Sequence, residues 1–154
     1  MTESARIREQ LRRSLEGEAW HGPAVYEVLK GVSAKAAAAR PIAQAHSIWE
    51  IVLHVTVWVE QIRARLLGDA ARELPPERDW PPQPKKPTAA AWAELQDRLR
   101  KAHAALDKDI AKLDDARMDE PILEGFSSVY VTLHGLVQHN LYHAGQVAVL
   151  KKGE

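Results

Sequence analysis

The sequence predicts an all-α protein whose fold class is a four-helix bundle, and three observations support that prediction. Four long segments carry apolar residues at intervals of three and four, no segment alternates as a strand would, and one long proline-rich connection joins the second segment to the third. A chain of 154 residues can bury a core unaided, and it contains no internal repeat. We therefore expect residues 1–154 to form a single domain.

The first long helix is marked by Ile7, Leu11 and Leu15, which recur every four residues. Its pattern pauses at "HGP" and resumes through "AVYEVLKG", where Pro23 suits a first helical turn. A short helix, "SAKAAAAR", then follows Ser33, whose side chain can cap it.

The second long helix has the clearest boundaries. Ser47 is followed three residues later by Glu50, which is the capping-box pattern, and Gly68 suits the helix end. We therefore predict a helix over residues 47–67. Six of the nine prolines lie between Asp69 and Pro87, which predicts a long crossover loop that also has the length of a lid or dimer contact.

Two further helices complete the predicted bundle. Thr88 can cap the third helix, and the fourth runs from about Val129 to Lys152. The apolar positions of the third helix repeat at threes and fours: Trp92, Leu95, Leu99, Leu106, Ile110 and Leu113.

The charge balance argues against nucleic acid as a partner. Lys plus Arg and Asp plus Glu each total 21, so the net charge is zero and no basic surface for a phosphate backbone is indicated. The charged N-terminal stretch lacks an apolar h-region, and no apolar run has the length of a membrane span. Because there is no cysteine, any metal must be held by nitrogen and oxygen ligands. We expect a cytoplasmic protein without a membrane anchor.

Three histidines are predicted to face the interior. His139 and His143, in "HNLYHAGQ", lie within about 40° of each other on the fourth helix, and His54 lies at the edge of the apolar arc of the second. Burying three imidazoles together costs free energy unless their nitrogens have partners, and a cation supplies a partner to all three. The spacing leaves two interpretations open, a metal site and hydrogen-bonded core histidines.

Three other residues can be interpreted in two ways, and a glycine in the fourth helix in one. His103 falls on the apolar stripe of the third helix, so it is either a fourth ligand or a core histidine. Glu50 either orients His54 or completes the capping box, and Gln146 either contacts a bound water or lies at the rim. Gly145 inside the fourth helix indicates the close approach of another helix.

The sequence assigns no functional role to the remaining histidines or to the aromatic residues. His134 lies on the arc opposite His139 and is expected at the surface or a dimer contact, whereas His21 and His46 simply precede helices. The large aromatic residues are expected in the core or an interface: Trp49, Trp58, Trp80, Trp92 and Tyr142.

Two segments together resemble the DinB-like (DinB/YfiT-like) superfamily of metalloenzymes. They are "HSIWEIVLHVTVW" and "LHGLVQHNLYHAGQVAVLKK", and the resemblance extends over nearly the whole chain. It implies an up-down-down-up four-helix bundle, usually a homodimer, that binds a divalent metal through one histidine of the second helix and two of the last. By motif, these ligands are His54, His139 and His143.

The resemblance also implies a function. Members include S-transferases that use low-molecular-weight thiols and a maleylpyruvate isomerase branch. We therefore expect a divalent metal ion (zinc, nickel or iron) in an open three-histidine site, acting on a small molecule, including low-molecular-weight thiols, as a thiol S-transferase or hydrolase. The alternative is a non-catalytic, stress-related dimeric protein that binds metal. A third interpretation has no metal, with the histidines hydrogen-bonded in the core.

Overall fold

The computed structural model describes residues 1–69 and 73–153, and within them the chain is helical. The α-helices are α1 (Glu3–Glu16), α2 (Val25–Leu29), α3 (Ala34–Ala38), α4 (Ile48–Leu66), α5 (Pro76–Asp79), α6 (Ala89–Ile110) and α7 (Val129–Leu150). Two 3₁₀ helices follow α6 and α7, at Asp115–Asp119 and Lys151–Gly153. Among the described residues the one β feature is an isolated bridge between Pro121 and Ser128. The predicted all-helical class is confirmed.

The predicted helix caps are present. The Ser47 hydroxyl accepts the backbone N–H of Glu50, and the Glu50 carboxylate accepts the backbone N–H of Ser47, both at 3.1 Å. Ser33 and Thr88 likewise accept backbone N–H groups in the first turns of α3 and α6. These side chains satisfy N–H groups that a helix leaves unpaired at its start, so the helices begin where the sequence predicts.

The four long helices α1, α4, α6 and α7 pack around the core. α4 packs against both α6 and α7, and α1 packs against α7 and, less extensively, α6. The apolar core forms two clusters. Along α6 and α7 the turns between these clusters carry buried polar side chains, His103 in α6 and Asn140 and His143 in α7. A polar layer therefore crosses the middle of the molecule.

The proline-rich connection carries α5 onto α4. Part of the predicted loop, residues 70–72, lies outside the described residues. Pro76 stands at the first position of α5, where its missing N–H costs nothing, and Trp80 follows the helix directly. In the described part of the chain, no helix combines the length and apolar character needed to cross a bilayer.

Candidate metal centre

The packing of α4 against α7 brings His54, His139 and His143 together. One nitrogen from each ring lies within 4.8 Å of the other two. His54 and His143 are buried and His139 is partly buried. The prediction that these three rings converge on one interior point is therefore confirmed, while their role as ligands remains a prediction.

Oxygen acceptors fix two of the three rings. His54 donates its Nδ1–H to the carbonyl oxygen of Asp79 at 2.8 Å, and the Asp79 carboxylate lies 3.1 Å from the same nitrogen. His143 donates its Nδ1–H to Oε1 of Gln146 at 2.6 Å. A proton on Nδ1 leaves the lone pair on Nε2, so each acceptor selects the tautomer that can bind a metal.

His139 completes the group from the neighbouring turn of α7. Its Nε2 lies 3.0 Å from Nε2 of His54. Its Nδ1 is buried and has no hydrogen-bond partner among the described residues. A buried polar atom without a partner costs free energy. Hydrogen bonding through Nδ1 therefore does not explain the position of this ring.

Burial keeps the cluster neutral. Burial, together with the neighbouring imidazoles of His143 and His54, lowers the pKa of His139 to about 3. Burial lowers the pKa of His143 to about 4 although its bond to Gln146 opposes the shift, and burial also lowers the pKa of His54. All three rings are neutral at neutral pH, which is the form that binds a metal ion.

The donor set fits a divalent cation. Zinc–imidazole bonds of about 2.1 Å at tetrahedral angles separate two ligand nitrogens by about 3.4 Å. The Nε2 atoms of His54 and His139 are already 3.0 Å apart, and small movements of the rings would admit an ion. Three protein ligands leave a position open for water or substrate, as catalytic rather than structural sites do.

Two tryptophans surround the histidines. The indole of Trp80 lies between His46 and His54, with ring centroids 3.7 and 3.8 Å apart and both pairs of planes at 6°. Trp58 meets His54 and His139 edge-on and donates its Nε1–H to the Asp79 carboxylate at 2.7 Å.

Trp58 and Trp80 are partly buried and pack against the two core clusters, as expected of the large aromatic residues, and both rings also contact the clustered histidines. The expectation also holds for Trp49 and Trp92, which are buried in the core. The sequence interpretation missed Asp79, although an acid beside a tryptophan within the proline-rich segment was an available signal.

Of the two interpretations for His103 and for Glu50, the structure favours the structural one in each case. His103 is buried in α6 outside the three-histidine group, in the wall of a separate cavity between α1 and α6. Its Nε2 has no partner in the described parts of the chain. Glu50 completes the capping box and contacts Arg40 and His46, so its carboxylate does not orient His54.

The predictions for Gly145 and His134 have different outcomes. Gly145 does not mark the approach of another helix, and that prediction is wrong: a Cβ at Gly145 would meet no described atom within 4 Å, because this side of α7 is exposed. His134 is half-buried against the ring of Tyr130, with Nε2 3.7 Å from the Glu3 carboxylate. It stands apart from the cluster, on the other side of α7 as expected.

A comparison with known families identifies the chain. The family model described as the DinB superfamily matches residues 19–147, which include all three clustered histidines. Neither the search of curated proteins nor the search of solved structures gave a significant match. The family match agrees with the helical fold and with the histidines contributed by α4 and α7, and the chain therefore belongs to the DinB superfamily.

Proposed function

We propose that this protein binds one divalent metal ion, zinc, nickel or iron, through His54, His139 and His143 and uses it to catalyse a reaction of a small molecule. The observation that carries the proposal is the convergence of the three ring nitrogens within 4.8 Å. Two of these rings are already committed to oxygen acceptors through Nδ1. A hydrogen bond from the second ring nitrogen to an oxygen acceptor is typical of metal-binding histidines.

The reaction classes we propose are thiol S-transfer and hydrolysis. A divalent cation held by neutral imidazoles lowers the pKa of a coordinated water or thiol and polarises a carbonyl. The chain's own contribution is to hold the rings in position and to limit access of water. Trp80 covers one face of His54, and Trp58 covers an edge of His54 and His139.

We also propose the up-down-down-up four-helix bundle topology for α1, α4, α6 and α7, and a homodimer. The neighbours of each long helix are those of a closed bundle. The start of α7 exposes Tyr130 and Val131, and the helix carries no charged residue, which suits a subunit contact. Val131→Asp is expected to convert a dimer to a monomer in analytical ultracentrifugation, and a wild-type monomer would contradict the proposal.

A non-catalytic, stress-related metal-binding role is the second candidate. It uses the same three histidines and needs no path for a substrate to the buried rings of His54 and His143. The two candidates differ in what loss of the metal does to stability. Metal that serves only the fold contributes its binding free energy to folding, so its removal lowers the melting temperature strongly.

The test compares wild-type protein with His139→Ala, both purified without an affinity tag. Metal content, melting temperature and two rates are measured: S-alkylation of a small thiol by a bromobimane with release of bromide, and hydrolysis of a nitrophenyl ester. His134→Ala is the matched control, because it removes an imidazole from the same helix outside the cluster. The catalytic proposal expects His139→Ala to lose the metal and the metal-dependent rate, whereas His134→Ala keeps both. A large fall in melting temperature without any wild-type rate would support the non-catalytic candidate instead.

A further inference from the structure

An open cleft lies beside the three histidines. It has a volume of about 600 Å³ and runs between the segment that precedes α4 and the outer face of α7. Ile42, Ile51 and Val149 give it apolar walls, and His46 and Gln146 supply polar groups. A cleft of this size can hold a small organic molecule.

Two contacts connect this cleft to the metal centre. Gln146, which lines the cleft, accepts the Nδ1–H of His143. His46, which also lines it, stacks on Trp80, and the opposite face of Trp80 stacks on His54. A ligand in the cleft is therefore separated from His143 by one side chain, that of Gln146, and from His54 by two, those of His46 and Trp80.

The lining of the cleft includes no charged side chain among the described residues. The nearby carboxylate of Glu50 is paired with Arg40 and accepts the backbone N–H of Ser47, so it is not available to a ligand cation. An ionised ligand would lose hydration in the cleft without gaining a counter-charge. Apolar walls instead favour an uncharged, apolar ligand.

His46 is held in a defined orientation at the polar edge. Its Nδ1 lies 3.2 Å from the Glu50 carboxylate, and the tautomer that donates there leaves Nε2 as an acceptor. Nothing in the sequence singles out this histidine, because its stacking partner Trp80 is distant in the chain.

We propose that this cleft binds the uncharged, apolar body of the small-molecule substrate and that His46 and Gln146 hydrogen-bond its polar end. This inference rests on the proposed function, since the substrate is the one that the three-histidine site acts on. The substrate class is thus an apolar, uncharged electrophile or ester, because the described lining of the cleft includes no Arg, Lys, Asp or Glu side chain.

Two fluorescent probes with the same aromatic body test this proposal. N-phenylnaphthylamine is uncharged, and anilinonaphthalene sulfonate adds one negative charge. Gly145→Leu fills the cleft from α7, where a Cβ meets no described atom within 4 Å. Gly135→Leu is the matched control, because Gly135 has the same open surroundings in the same helix but does not line the cleft. Leucine has a higher helix propensity than glycine, so both variants should fold.

Wild type and Gly135→Leu are expected to bind the uncharged probe with equal affinity, and Gly145→Leu to bind it at least about tenfold more weakly. Sulfonate binding that Gly145→Leu removes is binding in the cleft. The affinity of the cleft for the sulfonate is expected to be lower than its affinity for the uncharged probe. Equal binding of the uncharged probe by both variants, or tighter cleft binding of the sulfonate, would overturn the proposal.

Metal content and mass in solution, measured on the same samples, separate this inference from the proposed function. Gly145→Leu is expected to keep the wild-type metal content and oligomeric state. Loss of the probe together with dissociation of a dimer would assign this face to a second copy of the chain and overturn the cleft proposal. Absence of metal from wild-type protein would overturn the proposed function, whereas absence of probe binding in metal-loaded protein overturns the cleft alone.

Discussion

The indole of Trp80 stacks on the imidazole of His54, with 3.8 Å between ring centroids and 6° between planes. Trp80 follows α5 directly, and Asp79, at the end of the same short helix, accepts the Nδ1–H of His54. The proline-rich connection therefore supplies both a cover and a hydrogen-bond acceptor to His54 of the three-histidine cluster. Its role is to position His54 as well as to connect α4 with α6.

Metal binding should be visible in tryptophan fluorescence. Nickel is paramagnetic and quenches nearby indoles, and Trp80 is in van der Waals contact with His54. We expect nickel titration to quench wild-type fluorescence and Trp80→Phe to lose a large part of that quenching. Trp20→Phe is the control, because Trp20 is fully exposed. An equal loss in both variants would show that nickel binds away from the histidine cluster.

Gln146 should strengthen metal binding through His143. Replacing it with alanine removes the acceptor of the Nδ1–H, so the ring loses its fixed tautomer and orientation. Loss of such a partner typically weakens metal affinity by about 10- to 100-fold. Competition with a chromophoric chelator measures the affinity, and Gln138→Ala, an exposed glutamine of the same helix, serves as control. Unchanged affinity in Gln146→Ala would remove Gln146 from the site.

Asp79 should contribute less than Gln146. Asp79→Ala removes the carboxylate that accepts from Trp58 and lies near His54, but it keeps the backbone carbonyl that accepts the His54 Nδ1–H. We therefore expect a loss of affinity of about tenfold or less, at the lower end of the usual range. Glu77→Ala, in the same short helix and exposed, should bind metal as wild type does. A larger loss in Asp79→Ala than in Gln146→Ala would contradict this order.

His103 should make the metal-free protein sensitive to acid. Burial lowers its pKa in the folded state to about 3 from an ordinary value of 6.5. Below the unfolded value only the unfolded chain takes up the proton, so stability is lost as the pH falls from about 6.5 towards 3 and the loss stops below that. Between about pH 7.5 and 4.5, the free energy of unfolding measured in urea is expected to fall by about 3 kcal/mol less in His103→Leu than in wild type.

His103→Leu should also be at least as stable as wild type at neutral pH. The Nε2 atom has no partner among the described residues, and removing a buried unpaired polar atom is worth about 1 kcal/mol. A variant that is clearly less stable than wild type, with the same pH dependence, would show that His103 has a partner in solution.

The sequence predicted the helices well because their signals are local. The capping box of Ser47 and Glu50 and the N-cap Thr88 each act within a few residues, and the inward faces of His139 and His143 follow from helix periodicity. To predict that the three histidines converge, one must know that α4 and α7 are neighbours. The family resemblance supplied that knowledge, and helix periodicity did not.

The rest of the site could not be predicted because it depends on contacts between distant segments. Trp80 reaches His54 only because α5 folds back onto α4, and nothing in a proline-rich stretch specifies that return. Gly145 was misinterpreted because low helix propensity was attributed to packing, whereas its side of α7 borders an open cleft.

The metal content of the protein tests the central claim most directly. Elemental analysis of wild-type protein, purified without an affinity tag or chelator and then titrated with zinc or nickel, is expected to give about one ion per chain. His54→Ala, His139→Ala and His143→Ala should each lose that ion, whereas His103→Leu should retain it. Wild-type protein without metal that takes up neither ion on titration would contradict the three-histidine site.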